Sequence, residues 1–111
     1  MAFSSASKDT AVDALTALGD YISLHSADPG TTGASEVGGV TRQETTWGSS
    51  SSGTANGTQV TFASVPAGSY THYGVWTASS GGTFRWGFAL SPGVTLSDVG
   101  TVLMTPRVTF P

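Results

Sequence analysis

The chain contains no cysteine, which excludes disulfide stapling, thiolate zinc sites and cysteine nucleophiles. Its only cations are Lys8, Arg42, Arg85 and Arg107. These four are scattered, so no basic stripe exists to neutralise phosphates, and nucleic acid is not an expected partner. No run approaches 18 apolar residues, so no membrane-spanning helix and no membrane partner are expected. The start, Met1-Ala2-Phe3-Ser4-Ser5-Ala6-Ser7-Lys8, lacks a basic region followed by an apolar stretch, and the expectation is a soluble protein made without an export signal.

Charge of either sign is scarce. Charged residues are 10% of the chain and the formal net charge is -3, against about 25% charged residues in an ordinary globular protein. A surface so poor in charge repels its neighbours weakly, which suits a subunit packed against copies of itself or against a larger assembly.

What the chain has is glycine, serine, threonine and aromatics, the texture of strands and turns. Its 111 residues suit a single domain, divided into an N-terminal arm and helix over 1–19 and a β domain over 20–111. Ala11, Val12, Leu15 and Leu18 fall at helical spacing between Ser7 and Gly19, with Ser7 or Asp9 as cap and Gly19 as stop. From Asp20 to His25 the pattern changes to period two, with Ile22 and Leu24 alternating against Tyr21, Ser23 and His25, and predicts the first strand.

Ala27 to Val40 reads as a long ordered loop opened by the turn Asp28-Pro29-Gly30. A short strand is expected around Thr41 to Trp47, and Gly48 to Gly53 reads as a flexible loop tip. Asn56-Gly57 signals a tight turn leading into a strand over Thr58 to Phe62, and Val65-Pro66-Ala67-Gly68 turns the chain again. Over Tyr70 to Thr77, alternation places Tyr70, His72, Gly74 and Trp76 on one face, with Thr71, Tyr73, Val75 and Thr77 on the other. A hairpin turn at Ser79-Ser80-Gly81-Gly82 precedes the clearest strand, in which Phe84, Trp86, Phe88 and Leu90 alternate with Arg85, Gly87 and Ala89. Ser91-Pro92-Gly93 predicts another turn. Val102, Met104, Val108 and Phe110 share one face of a final extended segment, where Pro106 argues for an edge or a bulge. Short strands separated by turns every 8 to 12 residues predict a mainly β protein, an antiparallel β-sandwich or small barrel with one short N-terminal helix.

No constellation of catalytic or metal-binding residues emerges. His25 and His72 have acids in the sequence, Asp20, Asp28 and Glu36, but no motif spacing unites them, and both read as structural. Asp28 and Glu36 lack the D-x-D-x-D-G spacing of a calcium loop, and Gly33, Gly38 and Gly39 lack the pattern of a phosphate cradle. Asn56-Gly57-Thr58 matches a glycosylation acceptor, yet reads as a turn in a chain with no export signal. No catalytic residue, metal or cofactor is therefore expected. The candidate contact residues are Asp28, Glu36, Arg42, Trp47 and Asn56 on the loops. A second reading, a carbohydrate-binding host-attachment module, would use Trp47, Tyr70 and Trp76 as platforms for sugar rings, with a host surface glycan as partner.

Three stretches carry a resemblance. Tyr21-Ile22-Ser23-Leu24-His25-Ser26-Ala27-Asp28-Pro29-Gly30-Thr31-Thr32-Gly33-Ala34-Ser35-Glu36-Val37, continuing into Thr41-Arg42-Gln43, is the most specific. Thr71-His72-Tyr73-Gly74-Val75-Trp76-Thr77-Ala78-Ser79-Ser80-Gly81-Gly82 and Phe84-Arg85-Trp86-Gly87-Phe88-Ala89-Leu90 follow. Together with the preceding helix they resemble small tailed-bacteriophage virion proteins usually labelled tail-fibre, minor tail or head-fibre (capsid decoration) proteins. The chain departs from that pattern at Gly39-Val40-Thr41-Arg42, where an aromatic-Ala pair is expected before the arginine. The resemblance implies a non-enzymatic structural protein of the virion, assembled in the host cytoplasm and present in multiple copies or as a homo-oligomer. Its implied partners are other capsid or tail proteins, and head and tail locations both stay open.

Overall fold

A computed structural model describes residues 3–110; Met1, Ala2 and Pro111 of the expected domain span lie outside the described residues. Helix α1 runs over Ser5–Thr16, earlier at both ends than the apolar spacing predicts. Its cap is Ser4, whose hydroxyl accepts from the Ser7 N–H at 3.1 Å, in place of the expected Ser7 or Asp9. Asp9 lies inside the helix and reaches outward instead, its carboxylate accepting from the Gly53 N–H at 2.7 Å. That bond pins the serine-rich segment expected to be a flexible tip. Gly19 does not stop the helix; it allows close approach, because a Cβ there would lie 2.6 Å from the Trp76 carbonyl oxygen.

Eight strands follow: β1 Tyr21–His25, β2 Gln43–Glu44, β3 Thr54–Asn56, β4 Val60–Val65, β5 Gly68–Trp76, β6 Phe84–Leu96, β7 Gly100–Met104 and β8 Arg107–Thr109. Four form an antiparallel sheet in the order β2-β1-β5-β6, while β4–β7 and β3–β8 are two-stranded ribbons. Val65 pairs with Gly100, and Gly68 pairs with Leu96. The turns at 66–67 and 97–99 therefore lie side by side and fold the β4–β7 ribbon back over the β5–β6 ribbon. The result is mainly β with one helix, a sandwich-like antiparallel fold as expected. Ile22, Leu24, Tyr73 and Val75 of the large sheet meet Val60, Phe62, Val65 and Val102 of the ribbon, all buried in one cluster. Each aliphatic or Phe side chain so buried contributes about 1.5–3 kcal/mol. Val12 of α1 closes a second, smaller cluster with Ala55 and Val108.

The departures from the expected strands come from bulges. Tyr70 pairs with Val94 and His72 with Ala89, so Thr71 alone opposes the four residues 90–93. The expected turn at Ser91-Pro92-Gly93 is thus an enlarged bulge inside β6. The same irregularity resets the alternation of β5, and Tyr70 joins Tyr73 and Val75 in the core rather than sharing a face with His72, Gly74 and Trp76. A second shift, with Val75 opposite Trp86 and Trp76 opposite Phe84, leaves Arg85 as the extra residue. It separates Phe84, which faces Trp76, from Trp86, which packs on the core.

Asn56-Gly57 is not a tight turn. Neither residue has a positive φ; Asn56 ends β3 and the Gly57 N–H donates to the Pro106 carbonyl at 2.8 Å. Glycine is required there because a Cβ would lie 2.3 Å from Thr45 Oγ1. Pro106 separates β7 from β8, so the expected final segment is two strands with Val102 and Met104 on the main core and Val108 and Phe110 on the helix cluster.

Candidate functional site

The face of the large sheet turned away from the core is built around a gap. Gly74 and Gly87 are cross-strand partners at the centre of β5 and β6, and neither contributes a side chain. Into that gap drops the loop that follows β1. Asp28 forms the expected turn, its Oδ1 accepting from the Gly30 N–H at 2.8 Å, and this aims Pro29 at the sheet. A Cβ on Gly87 would lie 2.4 Å from Pro29 Cγ, and one on Gly33 would lie 2.6 Å from the Trp76 ring. The glycines in the middle of strands mark a close approach of chain to sheet, a signal present in the sequence whose partner is not.

Beneath the loop lies a polar relay. Ser23 is 2% exposed and His25 is 0% exposed, because β1 is flanked by β2 and β5 and roofed by the loop; the expected alternation of covered and open positions fails here. His25 Nδ1 lies 2.8 Å from the Ala34 carbonyl oxygen. A carbonyl only accepts, so Nδ1 carries the ring proton, and in the neutral imidazole Nε2 accepts from the Ser23 hydroxyl at 2.6 Å. Ser23 Oγ in turn accepts from the Trp76 indole N–H at 2.8 Å. Burial pushes the His25 pKa below its ordinary value of 6.5, outweighing the Ala34 carbonyl and the Glu36 carboxylate, which act in the opposite direction. The Ser–His pair thus has the contacts of a nucleophile and its base without access to a substrate. Its chemistry is to hold the loop onto the sheet. His72, the register partner of His25, makes a separate contact, its Nδ1 lying 2.8 Å from Thr71 Oγ1.

Glu36, Arg42 and Trp76, named separately by the sequence, come together at the far end of the loop. Arg42 Nε donates to Glu36 Oε2 at 2.8 Å and its NH2 group donates to Oε1 at 2.9 Å. Its NH1 group donates to the carbonyls of Ala78 and Gly81, at 3.0 and 2.7 Å. The guanidinium also lies over the Trp76 ring, 3.6 Å from the centroid. One planar cation thereby joins the loop, β5 and the β5–β6 hairpin. Glu36 and Arg42 are consequently internal clasps, and the outward surface consists of the loop crest and the hairpin tip. Val37 to Thr41 and Ser79 to Gly81 border a shallow depression of about 550 Å³.

The remaining candidates sit elsewhere. Trp47 is half-buried, donating from Nε1 to the Gly19 carbonyl at 2.9 Å and packing 6.2 Å from Trp86 between ring centroids. Asn56 is exposed on β3, and its carbonyl accepts from the Gly48 N–H. Tyr70 is 4% exposed and donates its hydroxyl proton to the Pro66 carbonyl across the turn. Tyr70 and Trp76 therefore do not offer the free ring faces expected of sugar platforms: one is in the core and the other lies under Arg42. Tyr73, also in the core, donates to the Arg107 carbonyl, and burial pushes its phenol up to about 12.

A family model described as podophage GP4 fiber I protein gp80 matches residues 6–105. The match takes in the helix, the clasped loop and seven of the strands, and all three stretches that carry the resemblance. No curated protein matches the chain.

Proposed function

The chain belongs to the podophage GP4 fiber I protein gp80 family, and from that premise we propose that it is a non-enzymatic structural protein of a tailed-phage virion, attached to the capsid or tail surface. The observation that carries this reading is the extent of the match, residues 6–105, which makes the sandwich itself the fibre-type unit. The arrangement of the loop supports it. Ser23 and His25 hold the base of the loop and Glu36 and Arg42 close its end, while the exposed Asp28 shapes the turn. What faces outward is a crest of small polar residues, Thr31, Thr32 and Thr41, beside the exposed Ser79 and Ser80. Such a rigidly backed, weakly charged surface suits contact with another virion protein rather than chemistry. The segment from Gly48 to Gly53 and the strand β3 that follows it add a contact region through the exposed Asn56.

The test is direct. Phage particles analysed by mass spectrometry are expected to contain the protein, and particles made without it are expected to regain it when the purified protein is added. Electron cryomicroscopy of the reconstituted particles then places it on head or tail. Its absence from particles, together with no binding to capsids or tails assembled without it, overturns the reading.

A further inference from the structure

Asn56 is the only asparagine of the chain, and Gly57 follows it. An asparagine before glycine is chemically labile, because glycine has no Cβ to shield its backbone nitrogen from the neighbouring side-chain amide. The fold treats the two residues differently. Asn56 is exposed at the end of β3, so water reaches its amide. Gly57 is held: its N–H donates to the Pro106 carbonyl at 2.8 Å, and a Cβ there would lie 2.3 Å from Thr45 Oγ1 and 2.9 Å from Pro106 Cγ. The Asn56 backbone is held as well, its carbonyl accepting from the Gly48 N–H at 2.8 Å and its register partner across the ribbon being Arg107. Helix α1 backs this ribbon, with Val12 buried against Ala55 and Val108 and Asp9 bonded to the Gly53 N–H.

We propose that Asn56 is a site of spontaneous deamidation that the β3–β8 ribbon holds shut and that opening of the ribbon releases. The reaction passes through a cyclic imide that is almost planar, so the Gly57 nitrogen must swing round beside the Asn56 Cβ. An extended strand residue, with ψ near about +135°, points that nitrogen well away, and the Pro106 carbonyl keeps its proton engaged. Ring closure therefore waits for both constraints to be released. The Gly57 nitrogen then gives its proton to solvent and bonds to Asn56 Cγ, while the bond from Cγ to the side-chain nitrogen breaks and ammonia leaves. Water opens the imide in one of two ways. Addition at Cγ leaves an aspartate at position 56, directly opposite the exposed Arg107, and the ribbon closes again over a cross-strand pair of opposite charge. Addition at the backbone carbonyl leaves an isoaspartate, whose extra main-chain carbon moves Gly57 out of the slot between Thr45 and Pro106. Either product adds a negative charge to the exposed end of β3. The chemistry is the same wherever the protein sits in a particle.

Peptide mass spectrometry of the purified chain, held at mildly alkaline pH with and without denaturing urea, tests the gate. Unfolded protein is expected to convert Asn56 to a mixture of aspartate and isoaspartate. Folded protein is expected to convert at least about tenfold more slowly, since only molecules with the ribbon open react. Val12→Ala and Asp9→Ala loosen the helix behind the ribbon, and each is expected to speed conversion severalfold while circular dichroism remains that of the folded protein. Asp9→Ala leaves the core intact, so it decides the matter if Val12→Ala does not fold. Asn56→Asp, which supplies one product directly, is expected to slow hydrogen exchange of the Gly57 amide by about twofold, and to have no such effect in an Arg107→Gln background. Conversion as fast in folded as in unfolded protein, or a rate that Asp9→Ala does not change, overturns the proposal. Slowed exchange that persists without Arg107 overturns the closing of the ribbon over the new ion pair.

Discussion

The guanidinium of Arg42 lies over the indole of Trp76, 3.6 Å from its centroid, although 34 positions separate them in the chain. The contact is one of several the same group makes, and the Arg42 side chain is 9% exposed while that of Glu36 is 27% exposed. Arg42→Lys keeps the charge but loses the planar fork that serves Glu36 and two carbonyls together. The expected cost is about 2 kcal/mol of unfolding free energy, with Arg42→Ala costing more, measured by urea denaturation. An Arg42→Lys protein as stable as wild type would show that the clasp is decorative.

The paired glycines make a sharper steric prediction. Gly74→Ala would place a Cβ 2.7 Å from His25 Nε2 and 2.9 Å from Ser23 Oγ, and Gly87→Ala one 2.8 Å from the Tyr73 carbonyl oxygen. Each is expected to destabilise by about 1–3 kcal/mol. Gly38→Ala, where nothing among the described residues lies within 4 Å and φ is not positive, is expected to be neutral. Thermal melts of the three variants separate the positions.

Acid is expected to loosen the loop through His25. Its folded pKa is lowered, so below 6.5 the unfolded chain binds a proton that the folded chain resists. Stability is therefore complete above that pH and falls as the pH drops from 6.5 toward the folded value. His25→Gln is expected to flatten this part of the profile at some cost in stability at pH 8. Stability measured from pH 8 to 5 on both proteins provides the check. At the alkaline end, Tyr73 holds its proton up to about 12, so folding should weaken as the pH rises from 10 toward that value, and Tyr73→Phe should remove the dependence.

Two tryptophans that pack together should respond differently to the same substitution. Trp47 donates to the Gly19 carbonyl, whereas the buried Trp86 Nε1 has no partner among the described residues. Trp47→Phe leaves that carbonyl unpaired and is expected to cost about 1–3 kcal/mol. Trp86→Phe removes an unpaired donor along with some packing, and is expected to cost less than Trp47→Phe in the same denaturation assay.

Local chemistry was legible wherever the cause lies within a few residues. The Asp28-Pro29-Gly30 turn, the Gly81-Gly82 hairpin and the existence of α1 follow from side-chain bonds, tolerance of positive φ and helical spacing, all short-range effects. The capping error was local too: Ser4, Ser7 and Asp9 are all competent caps, and the sequence does not rank them.

The β texture, the scarcity of charge and the family-like stretches around the loop and hairpin were determined by the sequence itself. They were sufficient to identify a small sandwich of virion type. Only the tertiary structure decided which face each aromatic takes, because period-two reasoning holds until a bulge and resets after it, as it does between Tyr70 and His72 and between Phe84 and Trp86. It alone decided that Glu36, Arg42 and Trp76 form one clasp, and that Gly57 is required by Thr45 rather than by a turn. Those outcomes depend on long-range pairing, where the energy of a residue is set by what the register brings opposite it.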